Sequence, residues 1–159
     1  MKRLAPRFFR RKEQGSVAVE AAIVLPLLIL FLAAPLLFAR IFWYYNVAQK
    51  AAHDSARFLS QTTKMEIQAS TAGAEPGVVV LARSIANTEV DDIRSHLIGA
   101  STTVLCDDLA CDGLSIPSVV RVGVRIRVRD DILGLMTDQL YGADGLLLTA
   151  DVTMRYAGN

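Results

Sequence analysis

Between Glu20 and Arg40 the chain runs for 19 residues without a charged side chain, through Leu25, Pro26, Phe31 and Pro35 to Ala39. As a helix rising about 1.5 Å per residue, such a run measures about 28 Å, close to the roughly 30 Å hydrocarbon core of a bilayer. The pattern predicts a membrane-spanning helix. Pro26 and Pro35 each remove a backbone donor, but inside a membrane neighbouring groups satisfy the freed carbonyls, so kinks are expected rather than ends. Phe38, Phe42, Trp43, Tyr44 and Tyr45 lie at and beyond the end of the run, where amphipathic rings favour the membrane interface.

The net charge of +1 over 159 residues conceals a split. Lys2, Arg3, Arg7, Arg10, Arg11 and Lys12 against Glu13 place +5 in the first 14 residues, and the remainder carries −4. Positive charge confined to so short a block excludes a uniformly basic nucleic-acid binder. The 52% apolar content likewise excludes a wholly disordered chain. Six basic residues precede the span, whereas Arg40 and Lys50 follow it. That bias places the amino end in the cytoplasm and the carboxy-terminal domain outside. A secretory signal peptide has the same charge order, but its shorter apolar core ends in a small-x-small cleavage site. Neither Ala33-Ala34-Pro35 nor Phe38-Ala39-Arg40 supplies one.

Past the span, Ala48, Ala52, Ser55 and Leu59 recur at helical spacing among polar residues, so the helix is expected to continue. From Ser16 to Ser60 it would measure about 67 Å, too long for one bilayer. Its small-residue stripe allows close packing, either on the chain's own domain or on a neighbouring subunit. Residues 61–77 read as a loop, and Val78 to Leu97 as one or two helices. Val120, Val122, Val124, Ile126 and Val128 then alternate with Arg121, Gly123, Arg125, Arg127 and Arg129. This predicts a half-buried strand with one basic face, a possible partner face for acidic groups if not merely a solvated one. A second strand is expected over Leu148 to Tyr156, with Asp151 available to neutralise part of the arginine stripe. A short helix is expected between them, from Asp130 to Tyr141. The fold class is therefore α+β: a long N-terminal transmembrane helix leading into a small outer domain with helices and an antiparallel sheet.

Cys106 and Cys111 bracket a short polar loop. Two cysteines do not complete a zinc site, and outside the cytoplasm a disulfide is their natural state. Asp107, Asp108 and Asp112 lack EF-hand spacing for calcium. Neither metal nor cofactor is expected. Two histidines without a placed nucleophile, and no phosphate-cradling glycine loop, give no case for an enzyme.

Glu20 is the anomaly in the apolar stretch, because a carboxylate in lipid costs roughly 2.5–3.5 kcal/mol and normally has a partner. Cleavage after Gly15 would make Ser16 the first residue and Glu20 the fifth, setting a new amine beside a buried carboxylate. Arg10-Arg11-Lys12-Glu13-Gln14-Gly15 followed by Ser16-Val17-Ala18-Val19-Glu20 and an apolar helix resembles the class III signal of type IV prepilins. More narrowly, Gly15 to Leu28 and the Ala-rich segment Ala48 to Arg57 resemble TadE-like pseudopilins of the tight adherence (Flp pilus) machinery, with a looser likeness over Leu148 to Tyr156. One departure is Ala21 after Glu20, where major Flp pilins have Tyr. Together with the chain's length, this points to a minor pseudopilin.

The resemblance implies a leader at 1–15, a transmembrane helix and extension at 16–60, and a periplasmic domain at 61–159. It implies removal of the leader by prepilin peptidase between Gly15 and Ser16, and pairing of Glu20 with a neighbouring subunit's amine to set register. The partners it implies are the membrane, other pilins or pseudopilins and the Tad inner-membrane assembly platform, in pilus assembly and adherence, with no nucleic acid. The chain would be single-pass in a bacterial inner membrane, or incorporated into an extracellular pilus. The alternative is an uncleaved, membrane-anchored periplasmic binding or enzymatic domain.

Overall fold

The computed structural model of the chain describes residues 14–69, 74–129 and 144–158. The expected helix from Asp130 to Tyr141 lies outside these residues, as does most of the basic leader. The chain divides into two units, the first ending at Ile41 and the second beginning at Phe42. One helix, α1 (Gln14–Ser60), contributes to both, and neither Pro26 nor Pro35 ends it. In the first unit α1 bears exposed apolar side chains, such as Ile23 at 62% and Phe31 at 77% exposure. By length and composition it is the one helix among the described residues able to cross a membrane.

The second unit is a helix layer on a four-stranded antiparallel sheet. Its helices are the remainder of α1, α2 (Lys64–Gln68) and α3 (Gly77–Asp91). Its strands are β1 (Leu97–Cys106), β2 (Leu109–Ala110), β3 (Val119–Val128) and β4 (Leu146–Arg155), in spatial order β2-β1-β3-β4. The α+β class expected from sequence is the one observed. Alternation along β3 turns Val120, Val122, Val124 and Ile126 into the core, as a period of two requires. Against them lie Ala48, Ala51, Ala52, Ser55, Ala56 and Leu59 of α1, all fully buried, with Val79, Ala82, Ala86 and Val90 of α3. The small-residue stripe therefore packs on the chain's own domain.

The structure corrects one local reading and adds detail to others. Residues 61–77 are not simply a loop, because Thr63 and Glu66 form a reciprocal capping box that starts α2, satisfying donors a helix start leaves unpaired. β1 occupies a stretch for which the sequence pattern set no strand. α3 buries Val79, Ala82, Ala86 and Val90 and leaves Leu81 49% exposed.

The two ends of this unit differ. Where α1 stops, the Ala157 amide donates to the Ser60 carbonyl at 2.9 Å and Tyr156 Oη donates to the Thr62 carbonyl at 2.8 Å. The Tyr156 amide also reaches the Ser118 carbonyl, so the Ser60 end collects the start of β3 and the finish of β4. At the other end Tyr44 is buried, its ring centroid 6.1 Å from that of His96. The His96 carbonyl accepts from the Arg129 amide. The Phe42 end thus holds the beginning of β1 and the finish of β3.

Candidate functional site

The residues expected to carry function fall into three groups. Gly15 and Ser16 lie in the first turn of α1, and Glu20 follows one turn later on an exposed position. In a continuous helix, residues four apart lie on one face, so Ser16 and Glu20 share a side of α1.

The second group is the cysteine hairpin at the Ser60 end. Cys106 and Cys111 form a disulfide, with Cα atoms 5.0 Å apart. Between β1 and β2 the chain turns through Asp107 and Asp108, both with positive φ of 50° and 64°, the left-handed pair a two-residue hairpin turn demands. The Asp107 carboxylate accepts from Ser118 Oγ at 2.6 Å, from the Ser118 amide and, at 2.9 Å, from the Val119 amide. These donors, the Ser118 hydroxyl foremost, hold its carboxyl below the usual range, because each bond favours the charged form. Asp112 accepts from the Leu114 amide. Asp107 and Asp112 therefore act as backbone clamps, and no group of three or more metal-ligating side chains occurs among the described residues.

The third group is the arginine face of β3, which the structure divides. Arg121 lies 3.5 Å from Asp108 and 3.8 Å from Asp151. Asp151 stands opposite Gly123 in the register. A Cβ built on Gly123 would come within 2.9 Å of Thr103 Oγ1 and closer still to Asp151, so glycine there lets both side chains cover β3. Arg125, Arg127 and Arg129 are exposed. Opposite Arg125 stand Ser101 and Thr149, and opposite Arg127 stand Gly99 and Leu147. The expected neutralisation by Asp151 thus reaches Arg121.

Sequence reasoning did not single out Tyr44 and His96 as a contact pair, nor Asp107 as a clamp. The Tyr44 assignment to an outward aromatic belt is corrected: Phe42, Trp43 and Tyr45 are exposed, whereas Tyr44 is 1% exposed. The signal for the turn is the pair of consecutive aspartates between the two cysteines.

Residues 15–57 match the family model of TadE-like proteins. No curated protein and no solved structure matches the chain. The matched stretch begins at Gly15 and ends within the buried Ala-rich part of α1, so the likeness read from the sequence holds over that helix. The family is one of Tad pilus-associated, structural proteins.

Proposed function

We propose that this chain is a minor pseudopilin of a Tad/Flp-type pilus assembly or secretion system. Prepilin peptidase removes residues 1–15, leaving a mature chain of transmembrane helix and extension (16–60) and outer domain (61–159). The observation that carries this reading is the family match starting at Gly15, on a single helix whose apolar side chains are exposed beyond it. Glycine before the scissile bond leaves the backbone accessible to the membrane protease. The chain sits in a bacterial inner membrane with its amino end cytoplasmic, as the basic leader directs. Other pilins or pseudopilins and the Tad assembly platform are its partners, and its role in adherence is structural rather than catalytic.

Intact mass and amino-terminal sequencing of protein purified from membranes test this directly. A mature chain starting at Ser16 is expected. A chain starting at Met1 would replace the proposal with an uncleaved, membrane-anchored domain.

A further inference from the structure

The arginine stripe is unevenly compensated along its length. Arg121, toward the Ser60 end, has Asp108 and Asp151 beside it. Arg125, Arg127 and Arg129, toward the Phe42 end, have no carboxylate partner among the described residues. Solvation alone would call for no such gradient.

The same end exposes apolar surface. Phe42 and Trp43 on α1 are 63% and 53% exposed. Leu147, paired in register with Arg127, is 53% exposed. Ile98 is 45% exposed and lies against Gly145, where an added Cβ would approach its Cδ1 to 2.8 Å. Arginine, tryptophan and branched aliphatic side chains together have the composition of a membrane–water interface, because the guanidinium stays among headgroups while rings and methyls sink below them. Chain connectivity supplies the lipid: Phe42 follows directly on the apolar run that ends at Ala39.

We infer that the Phe42 end of the outer domain is a lipid-docking surface, on which Arg125, Arg127 and Arg129 bind the headgroup phosphates of anionic lipids while Ile98 and Leu147 enter the interface. Arg121, already paired, takes no part. The surface rests on the proposed membrane span of α1, and it adds that the domain has a preferred footing on the leaflet where that span ends. Arginine suits this role because its planar fork grips phosphate oxygens bidentately and is weakly hydrated. Near an anionic surface each such cation strengthens binding by about five-fold. Loss of two lowers the docked-to-undocked ratio by about 30-fold.

The chain has one tryptophan, Trp43, so a Leu147→Trp substitution in a Trp43→Phe background places a single indole on the surface. The full chain is incorporated into nanodiscs of acyl-brominated phosphatidylcholine, with or without phosphatidylglycerol as about a third of the lipid. Quenching of the new indole is expected in the anionic discs and not in the neutral ones. Adding Arg125→Gln and Arg127→Gln is expected to abolish it, and adding Arg121→Gln, a loss of one charge at the other end, to leave it unchanged. Equal, weak quenching in both discs would overturn the inference, as would an Arg121→Gln effect matching that of the other pair. Failure to enter discs at all would overturn the membrane span itself, and the docking surface with it.

Discussion

Two polar side chains show how differently a single atom can stand in this molecule. Ser55 is fully buried on α1 and its Oγ has no hydrogen-bond partner among the described residues. What its position requires is small size, since it belongs to the stripe along which α1 meets the sheet layer. An orphaned buried hydroxyl costs roughly 1–3 kcal/mol, and alanine removes it without enlarging the side chain. Ser55→Ala is therefore expected to stabilise the protein by about 1 kcal/mol, measured by denaturant unfolding in detergent; a loss of stability would reveal a partner for the hydroxyl. Asp107 is the opposite case, an exposed carboxylate fully engaged by Ser118 and Val119. Its folded pKa lies below the ordinary value, so its stabilisation is complete above the unfolded carboxyl pKa and disappears as pH falls through the folded one. Asp107→Asn keeps a residue tolerant of the positive φ while removing the charge. The thermal midpoint of wild type should exceed that of Asp107→Asn at neutral pH, and the gap should close in acid below the usual carboxylate range. A gap independent of pH would assign the stabilisation to geometry rather than charge.

Elements were legible where one period dominated. The continuous apolar run announced α1, and strict alternation gave β3 as Val119–Val128; β4 shifted by only two residues at its start. β1 was hidden because Gly99, Ala100 and Ser101 are all exposed, leaving no alternation to read, and its place is set by pairing with β3 rather than by its own pattern. α2 is a single short turn of helix whose only local signal is the spacing of Thr63 and Glu66. The arginine face was legible as a face, but which arginine is compensated depends on Asp108 in the turn after β1 and Asp151 on β4, two contacts that register alone creates. The alanine stripe of α1 illustrates what periodicity does and does not say: it marks a close-packed side without naming what packs there. Since Ala52 is fully buried, Ala52→Leu forces extra carbons into a filled layer. It is expected to destabilise the outer domain by about 1–3 kcal/mol. Urea unfolding should show the loss while membrane extraction of the chain is unchanged, because Ala52 lies beyond the apolar run; unchanged stability would mean that the layer opens without cost.

At the scale of the whole molecule, the proposed processing would change the electrostatics of the chain at the point that matters for assembly. Removal of the leader would subtract +5 and leave side chains totalling −4 on residues 16–159, while creating one new cation at the Ser16 amine. Glu20 lies one helical turn from Ser16, on an exposed part of α1, so within lipid a chain cut after Gly15 would carry an acid and a base near the same end. A carboxylate there is unfavourable by roughly 2.5–3.5 kcal/mol unless it finds a partner, and an amine offered by a neighbouring subunit removes that cost only when the two helices are correctly offset. Such a pair contributes less to net stability than to the choice of alignment, because desolvation offsets much of the attraction whereas misalignment leaves two charges unpaired. On the proposed function, Glu20→Ala is thus expected to be inserted and cut after Gly15 like the wild type, since the protease reads the leader and Gly15, yet to enter the assembly poorly. Fractionating cells into membrane and sheared-pilus pools, with amino-terminal sequencing of each, separates the two steps. Correct cleavage with normal incorporation would remove Glu20 from the registry role, and blocked cleavage would move it into the protease recognition site instead.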